Sequence, residues 1–545
     1  MTNRDGRDLV LLTDTVHTLD ADTDSGAERV QAVLVRHGVV AELGDRRRAK
    51  AWAGGGAETI DLGKSTLTPG LVDGHLHPVM GLTFSEGHDL SGVASLEQLT
   101  RELRRAAADD SGKDGWISCW GLDPNVFGGN QVHNALLEDA APHRPVFIRF
   151  SDAHSGLAST AALRRAGVTG PVAFDQAAEV VCDETGTPTG QLLEDAAVNL
   201  VFDHVPRAAP ADRRARLARI FRDMAATGLV GAHVMDFEED SGELLASLDG
   251  DGALALRLRC APFCFPGVGT EELDEFVALQ RRGGRDWKVD GVKFMIDGTI
   301  DGGTAWLQAP DSHGESTAPF WPDPHEYAWA VRHLAEAGVP TATHAIGDAG
   351  VRFALETLAG AARTRTPHRI EHIETIPDDL VPLFARHRVT ASMQPTHCTH
   401  YTAADHSDNW SERLGTERAN RAFRTRDLRD AGAVLALGSD WPVAPYDARA
   451  VLADAQLRRP AGRPDVDPVL PGQSLTARMA LEGYTTMAAA AAGETGRAGR
   501  IAVGQRADFT AFTVDPLAAP PDELAEAPIA LTVLGGRVTH RSVQF

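Results

Sequence analysis

Two histidines one residue apart, His75 and His77, close the apolar run GLVDGHLHP (70–78). In a strand the period of two turns both imidazoles to the same side, and two neutral imidazoles aimed at one point suit zinc or a similar divalent metal. Taken alone the pair is a weak signal and fits a solvated turn better than a metal site. Three further polar residues end apolar runs in the same way: His344 in VPTATHAIGD (339–348), His372 in HRIEHIE (368–374) and Asp440 in VLALGSDWP (434–442). Their convergence at strand ends favours a metal site over a set of separate core histidines. A fifth run, VDGVKFMIDG (289–298), carries Lys293 where an unpaired ammonium is costly to bury. Two readings stand for it: a salt bridge to Asp297 or Asp301, or a desolvated neutral amine able to react with carbon dioxide and become an anionic carbamate ligand.

The elements that must position these groups alternate strand and helix. Eight short buried-strand runs recur, the five above together with GLVGAHVMDF (228–237), LRLRCAPF (256–263) and VTASMQPTH (389–397). Helical spacing of apolar residues marks 325–338, 350–364, 377–387 and 421–432. Eight strands in βα alternation close a barrel, with functional side chains at the strands' C-terminal ends. The expected class is therefore α/β, a (β/α)₈ TIM-like barrel over 69–484. Roughly 145 residues separate its first two strands, too many for one βα unit, so 80–225 is read as an insertion capping the barrel mouth. Both chain ends, 1–68 and 485–545, have the texture of short antiparallel strands and are expected to pair into one small β-sandwich.

Composition limits the partners. Lys and Arg number 53 against 76 Asp and Glu, a formal charge of −23, which argues against nucleic acid, whose binding needs clustered positive charge. The five cysteines are odd in number and scattered, and the Cys260/Cys264 pair lacks a second ligand pair, so no disulfide framework or zinc finger is expected. No secretory leader and no apolar run of membrane-spanning length is visible. The expectation is a cytoplasmic protein with a small-molecule substrate and no membrane partner.

The segments TPGLVDGHLHP (68–78), GVKFMIDGTIDGGTA (291–305), THAIGDAGV (343–351), RIEHIE (369–374), ASMQPTH (391–397) and LGSDWPVAPYDAR (437–449) resemble the amidohydrolase superfamily. The likeness is to its amidohydrolase-3 (YtcJ-like) branch, which includes N-substituted formamide deformylases. DETGTPTGQLLEDA (183–196) looks like the branch's insertion segment and GRIAVGQRADFTAF (499–512) like its return into the sandwich. The resemblance implies one or two divalent metals, zinc by expectation. His75, His77 and Asp440 hold the first, His344 and His372 the second, and N6-carboxylated Lys293 lies between them.

The implied reaction is hydrolysis of a non-peptide carbon–nitrogen bond, in an N-substituted formamide or N-acyl amine, by water activated at the metal. Asp440 serves as proton shuttle. Rival readings are a cyclic-amidine deaminase or cyclic-amide hydrolase and, from another class, a non-catalytic metal-binding protein, against which the presence of Asp440 speaks. Segments of the insertion that face the site in this branch place Trp120, Asp123 and His154 at the substrate, and strand-end loops add Trp306 and Trp441, which suggests a bulky or aromatic substrate. Gly74 and the IDGG turn (300–303) depart from the branch's usual wording. For enzymes of this kind a homo-oligomer, a dimer, is the expectation, although no stretch of sequence marks its interface.

Overall fold

The computed structural model describes residues 8–20, 30–53, 56–109, 115–128, 130–175, 178–237 and 240–543. Each of the eight apolar runs contains a strand: β1 Leu71–Leu76, β2 Leu229–Val234, β3 Arg257–Cys260, β4 Val292–Met295, β5 Thr341–Ala345, β6 Arg369–His372, β7 Thr390–Met393 and β8 Leu435–Leu437. Strands buried on both faces read as continuous apolar runs rather than alternating ones; every residue of β2, β4, β5, β6, β7 and β8 is buried.

These strands form two parallel sheets. One has the order Trp287–Val289, β3, β2, β1, and the other runs β4 to β8 in sequence. Backbone hydrogen bonds join the sheets at both edges. Lys293 N–H donates to Pro262 O at 2.8 Å and Cys264 N–H to Lys293 O at 2.8 Å, while beyond β1 and β8 Asp440 N–H donates to His75 O at 2.8 Å and His77 N–H to Trp441 O at 2.8 Å. The β1–β8 seam has no room for side chains: a Cβ on Gly74 would stand 2.6 Å from Leu437 O, and one on Gly438 2.5 Å from His75 N. The departure at Gly74 thus has a local steric reason.

Helices Pro324–Glu336, Asp348–Gly360, Val381–His387 and Thr425–Asp430 precede β5 to β8 in turn and pack outside them. The 80–225 stretch contributes a mixed six-stranded sheet with apolar clusters of its own around Leu99, Ile148 and Leu192. Its last helix, Pro210–Ala226, instead buries Leu217, Phe221 and Met224 in the main core beside β2. The chain ends meet: Thr66–Pro69 pairs antiparallel with Phe509–Phe512 in a five-stranded sheet. Leu67, Phe509, Leu531 and Val533 share one apolar cluster with Leu9, Leu11 and Val33 of a second, four-stranded sheet. Among the described residues no helix is long and apolar enough to cross a membrane.

Because the β1–β8 seam carries both His75 and Asp440, crowding it should loosen the whole molecule. Gly438→Ala is expected to cost about 1–3 kcal/mol of stability, read as a lowered midpoint in denaturant or thermal unfolding; an unchanged midpoint would mean that the seam yields freely.

Candidate metal centre and its cavity

Three histidines of the cluster, His75, His344 and His372, are each anchored at one ring nitrogen, which leaves the other for a ligand. His75 Nδ1 donates to Glu371 Oε2 at 2.6 Å. Glu371 is in turn held by Arg369, whose Nη2 also reaches Gly74 O and Ser392 Oγ, each at 2.6 Å. Burial pushes the Glu371 carboxyl up, but the Arg369 and His75 charges outweigh it and hold it well below the usual range. His344 Nε2 donates to Gly298 O at 3.1 Å, and His372 Nδ1 to Gln394 Oε1 at 2.9 Å. Asp73, buried beneath, accepts from the backbone N–H of His75 at 3.0 Å and of Ser439 at 3.1 Å, which ties the end of β1 to the turn that presents Asp440.

The free atoms converge. His75 Nε2 lies 3.1 Å from His77 Nε2 and 3.3 Å from Asp440 Oδ1, and His77 Nε2 lies 3.2 Å from the same oxygen. Rings of His75 and His372 are 4.9 Å apart, and those of His344 and His372 4.5 Å. Burial would push the Asp440 carboxyl up, yet the His75 and His77 imidazoles outweigh it and hold it low. Burial lowers His75 to about 4, with Lys293 adding to the effect. Asp440 Oδ1, the oxygen between the two imidazoles, is buried without a hydrogen-bond partner, the state expected of an atom whose partner is a cation. His372 and Asp440 adopt left-handed backbone, with φ of 74° and 61°, strain of the kind found at functional sites. Two trios of ligand type have atoms within 4.8 Å of one another: His75, His77 and Asp440, and His372, His397 and Asp440.

Lys293 is buried with Nζ 3.4 Å from His75 Nε2. Neither carboxylate considered as its partner pairs with it. Asp297 instead accepts the backbone N–H groups of Trp306, Ile346 and Gly347, and Asp301 accepts from the Asn409 amide. Burial lowers Lys293 to about 8, against the opposing pull of Glu371 and Asp440, so a fraction of the amine is neutral near pH 7.

Above the cluster opens a cavity. Asp123 and His154 line it. His154 Nδ1 is held at 2.9 Å by Glu194 Oε2; burial would depress the imidazole, but that carboxylate raises it to about 9. The three tryptophans expected at the substrate are not among the lining residues. Trp441 is buried over Gly81 and edge-on to Tyr446, Trp306 turns its ring to Phe353, and Trp120 lies within the strand Ile117–Leu122 of the inserted sheet. Position near a strand end does not decide which way a ring turns, and Phe353 and Tyr446 take the rings of Trp306 and Trp441. The aromatic wall is made instead by Trp410, Phe423, Tyr401 and Phe263, none of them anticipated. His397, also missed as a site residue, lies inside the quoted segment 391–397 but past the end of its strand, in the first turn of the helix Pro395–Tyr401. Besides Asp440, five carboxylates, Asp123, Asp152, Asp195, Asp301 and Glu374, share the lining with Lys293 and His154. Burial and the neighbouring carboxylates push Asp301 up to about 8, against the Asn409 hydrogen bond.

Comparison with known proteins gives one consistent picture. The chain is 27% identical over 522 residues to YtcJ of Bacillus subtilis (strain 168), covering 94% of this chain and 96% of that protein. It is 25% identical over 563 residues to the N-substituted formamide deformylase of Arthrobacter pascens, covering 97% and 98% respectively. A solved structure described as an uncharacterized metal-dependent hydrolase from Pyrococcus horikoshii OT3 has the same fold, with a TM-score of 0.71, 24% identity and coverage of 94% of this chain and 99% of that one. With residues 58–540 matching the amidohydrolase family, the chain belongs to that family and is a hydrolase of carbon–nitrogen bonds other than peptide bonds.

Proposed function

We propose that the chain hydrolyses the carbon–nitrogen bond of an N-substituted formamide or N-acyl amine at a metal centre, zinc by preference. The observation that carries this reading is the convergence of His75, His77 and Asp440, all buried, with Asp440 Oδ1 facing both imidazoles and lacking a hydrogen-bond partner. These three would hold a first ion; His344 and His372 would hold a second, with carboxylated Lys293 between the two. The A. pascens relative, named for deformylation of N-substituted formamides, supports the choice of substrate class.

A bound divalent metal supplies Lewis acidity and brings the pKa of water toward neutrality. The chain's own residues do the rest. Asp440 stays ionised among the imidazoles and can take the proton of the attacking water, then return it to the leaving nitrogen. The Glu371–His75 and Gln394–His372 hydrogen bonds fix which ring nitrogen faces the centre. His154, kept charged by Glu194, is a donor on the cavity wall for a substrate carbonyl. Trp410, Phe423 and Phe263 offer apolar faces to the substituent on nitrogen and exclude water from it.

We extend the same reading to architecture. The two parallel sheets with their two hydrogen-bonded seams make one (β/α)₈ barrel over 69–484, the paired chain ends 1–68 and 485–545 a β-sandwich, and 80–225 a cap that brings Asp123 and His154 over the mouth.

Three outcomes are expected. Protein purified without chelator should contain zinc-like metal by plasma emission, reduced in His75→Ala and Lys293→Ala while the far-ultraviolet spectrum is kept; metal-free wild type of full stability would sink the proposal. Chelation should abolish turnover, and added zinc should restore it. Asp440→Asn should lower kcat by about 10²–10⁴-fold with a smaller change in KM, assayed on a panel of formamides and N-acyl amines read as carboxylate release. Ammonia release from cyclic amidines in the same panel would transfer the chain to deaminase chemistry.

A further inference from the structure

His154 and Glu194 stand at the ends of paired strands in the inserted sheet. Ser155–Ala158 runs antiparallel to Pro188–Leu193 with Ser155 opposite Leu193, so the residue before the one strand meets the residue after the other. His154 Nδ1 donates to Glu194 Oε2 at 2.9 Å. The second oxygen of the same carboxylate reaches out of the inserted sheet: Oε1 accepts the Thr304 hydroxyl at 2.5 Å, in the turn that follows β4. Thr304 Oγ1 accepts the Thr299 N–H at 2.9 Å, so its own proton is the one given to Glu194. Backbone hydrogen bonds close this turn, from Gly298 N–H to Thr304 O at 3.0 Å and from Thr304 N–H to Thr299 O at 2.9 Å. The Gly298 carbonyl at its foot is the group that holds His344 Nε2.

The local structure is shaped around this contact. Glu194 is 2% exposed, and a carboxylate buried that far needs donors for its oxygens; it takes one from the inserted sheet and one from the loop after β4. Its backbone is left-handed, with φ of 65°, a conformation that residues other than glycine keep only where the surroundings enforce it. A Cβ on Gly298 would stand 2.2 Å from Glu194 Oε1, so the carboxylate fills the space a side chain would take. Glu194 is not among the residues lining the cavity, whereas His154 is, with its ring 5.2 Å from that of His344. We infer that Glu194 is a positioning residue that fastens the inserted sheet to the metal-ligand loops: one oxygen orients the His154 ring in the cavity, and the other fixes the 298–305 turn that holds His344. The consequence for turnover rests on the metal-hydrolase reading above; the mechanical link does not.

The test is hydrogen–deuterium exchange of the full-length protein, read by mass spectrometry over two segments distant in sequence, 152–158 and 298–305. Thr304→Val removes the hydroxyl and leaves the His154–Glu194 bond in place. It should speed exchange in both segments by about tenfold, and Thr304→Ser, which keeps the hydroxyl, should restore the wild-type rates. Glu194→Ala removes both bonds; it should speed exchange at least as much and lower kcat/KM on the substrate panel by about 10–100-fold. Unfolding midpoints separate a local change from a general loss of stability; should Glu194→Ala not fold, the two Thr304 variants carry the decision. Faster exchange confined to 298–305 in Thr304→Val would overturn the inference and leave Thr304 a support of its own turn. Unchanged exchange in both segments would overturn it as well, with the hydrolase reading intact. Linked exchange in a protein that hydrolyses nothing on the panel would do the reverse.

Discussion

A carboxylate removed from water must be met by donors or by positive charge, and Asp440, buried at the floor of a cavity, has imidazoles and Lys293 around it and one oxygen without a hydrogen-bond partner. Desolvating an ion costs several kcal/mol even after relaxation, so the surrounding structure has to make that burial sustainable. Much of the architecture near the two seams follows from this. Glycine at 74 and 438 lets β1 and the turn after β8 approach closely enough to put His75 and Asp440 side by side. Asp73 spans the same gap from below.

The next layer of contacts is equally specific. Glu371 and Arg369 alternate along β6 with residues that pack, and together they tie His75, the backbone of Gly74 and Ser392 of β7 into one buried network. Fully satisfied buried networks of this sort hold a single geometry. Asp297 does the corresponding work on the other side, where it accepts from Ile346 and Gly347 of the loop after β5 and from Trp306 of the loop after β4, and so ties the two loops together beside His344.

The eight strands and the polar residue ending each ligand-bearing run are legible in the sequence because doubly buried strands leave long apolar words and a charged or imidazole side chain at their end is conspicuous. The pairing of the two chain ends is legible from texture alone. What the sequence conceals is direction. Trp120, Trp306 and Trp441 stand in suitable places along the chain but are not among the cavity's lining residues, the last two with their rings against Phe353 and Tyr446, while Trp410 enters it from a short helix far along the β7–β8 connection. His397 is concealed differently: it follows its strand by a helical turn, so strand periodicity says nothing of where its ring points, and only the fold brings Glu374 and Asp440, from beyond β6 and β8, beside it. The identity of Lys293's neighbours was equally out of reach, because Asp297 and Asp301 are near in sequence yet bound elsewhere.

On the amide-hydrolysis reading proposed above, the cavity wall would meet two products of opposite charge. Cleavage would turn one neutral molecule into an amine, which gains a proton in water, and a carboxylate, which loses one. Opposite or like unit charges at about 4 Å interact by about 1 kcal/mol in water and about 4 kcal/mol near a protein surface. Asp152 and Glu374 would favour the cationic product, whereas His154, kept charged by Glu194, would favour the anionic one, and Asp301, pushed up to about 8, adds little charge near neutral pH. The wall thus carries both signs, and a substrate of either charge meets attraction on one side of it and repulsion on the other.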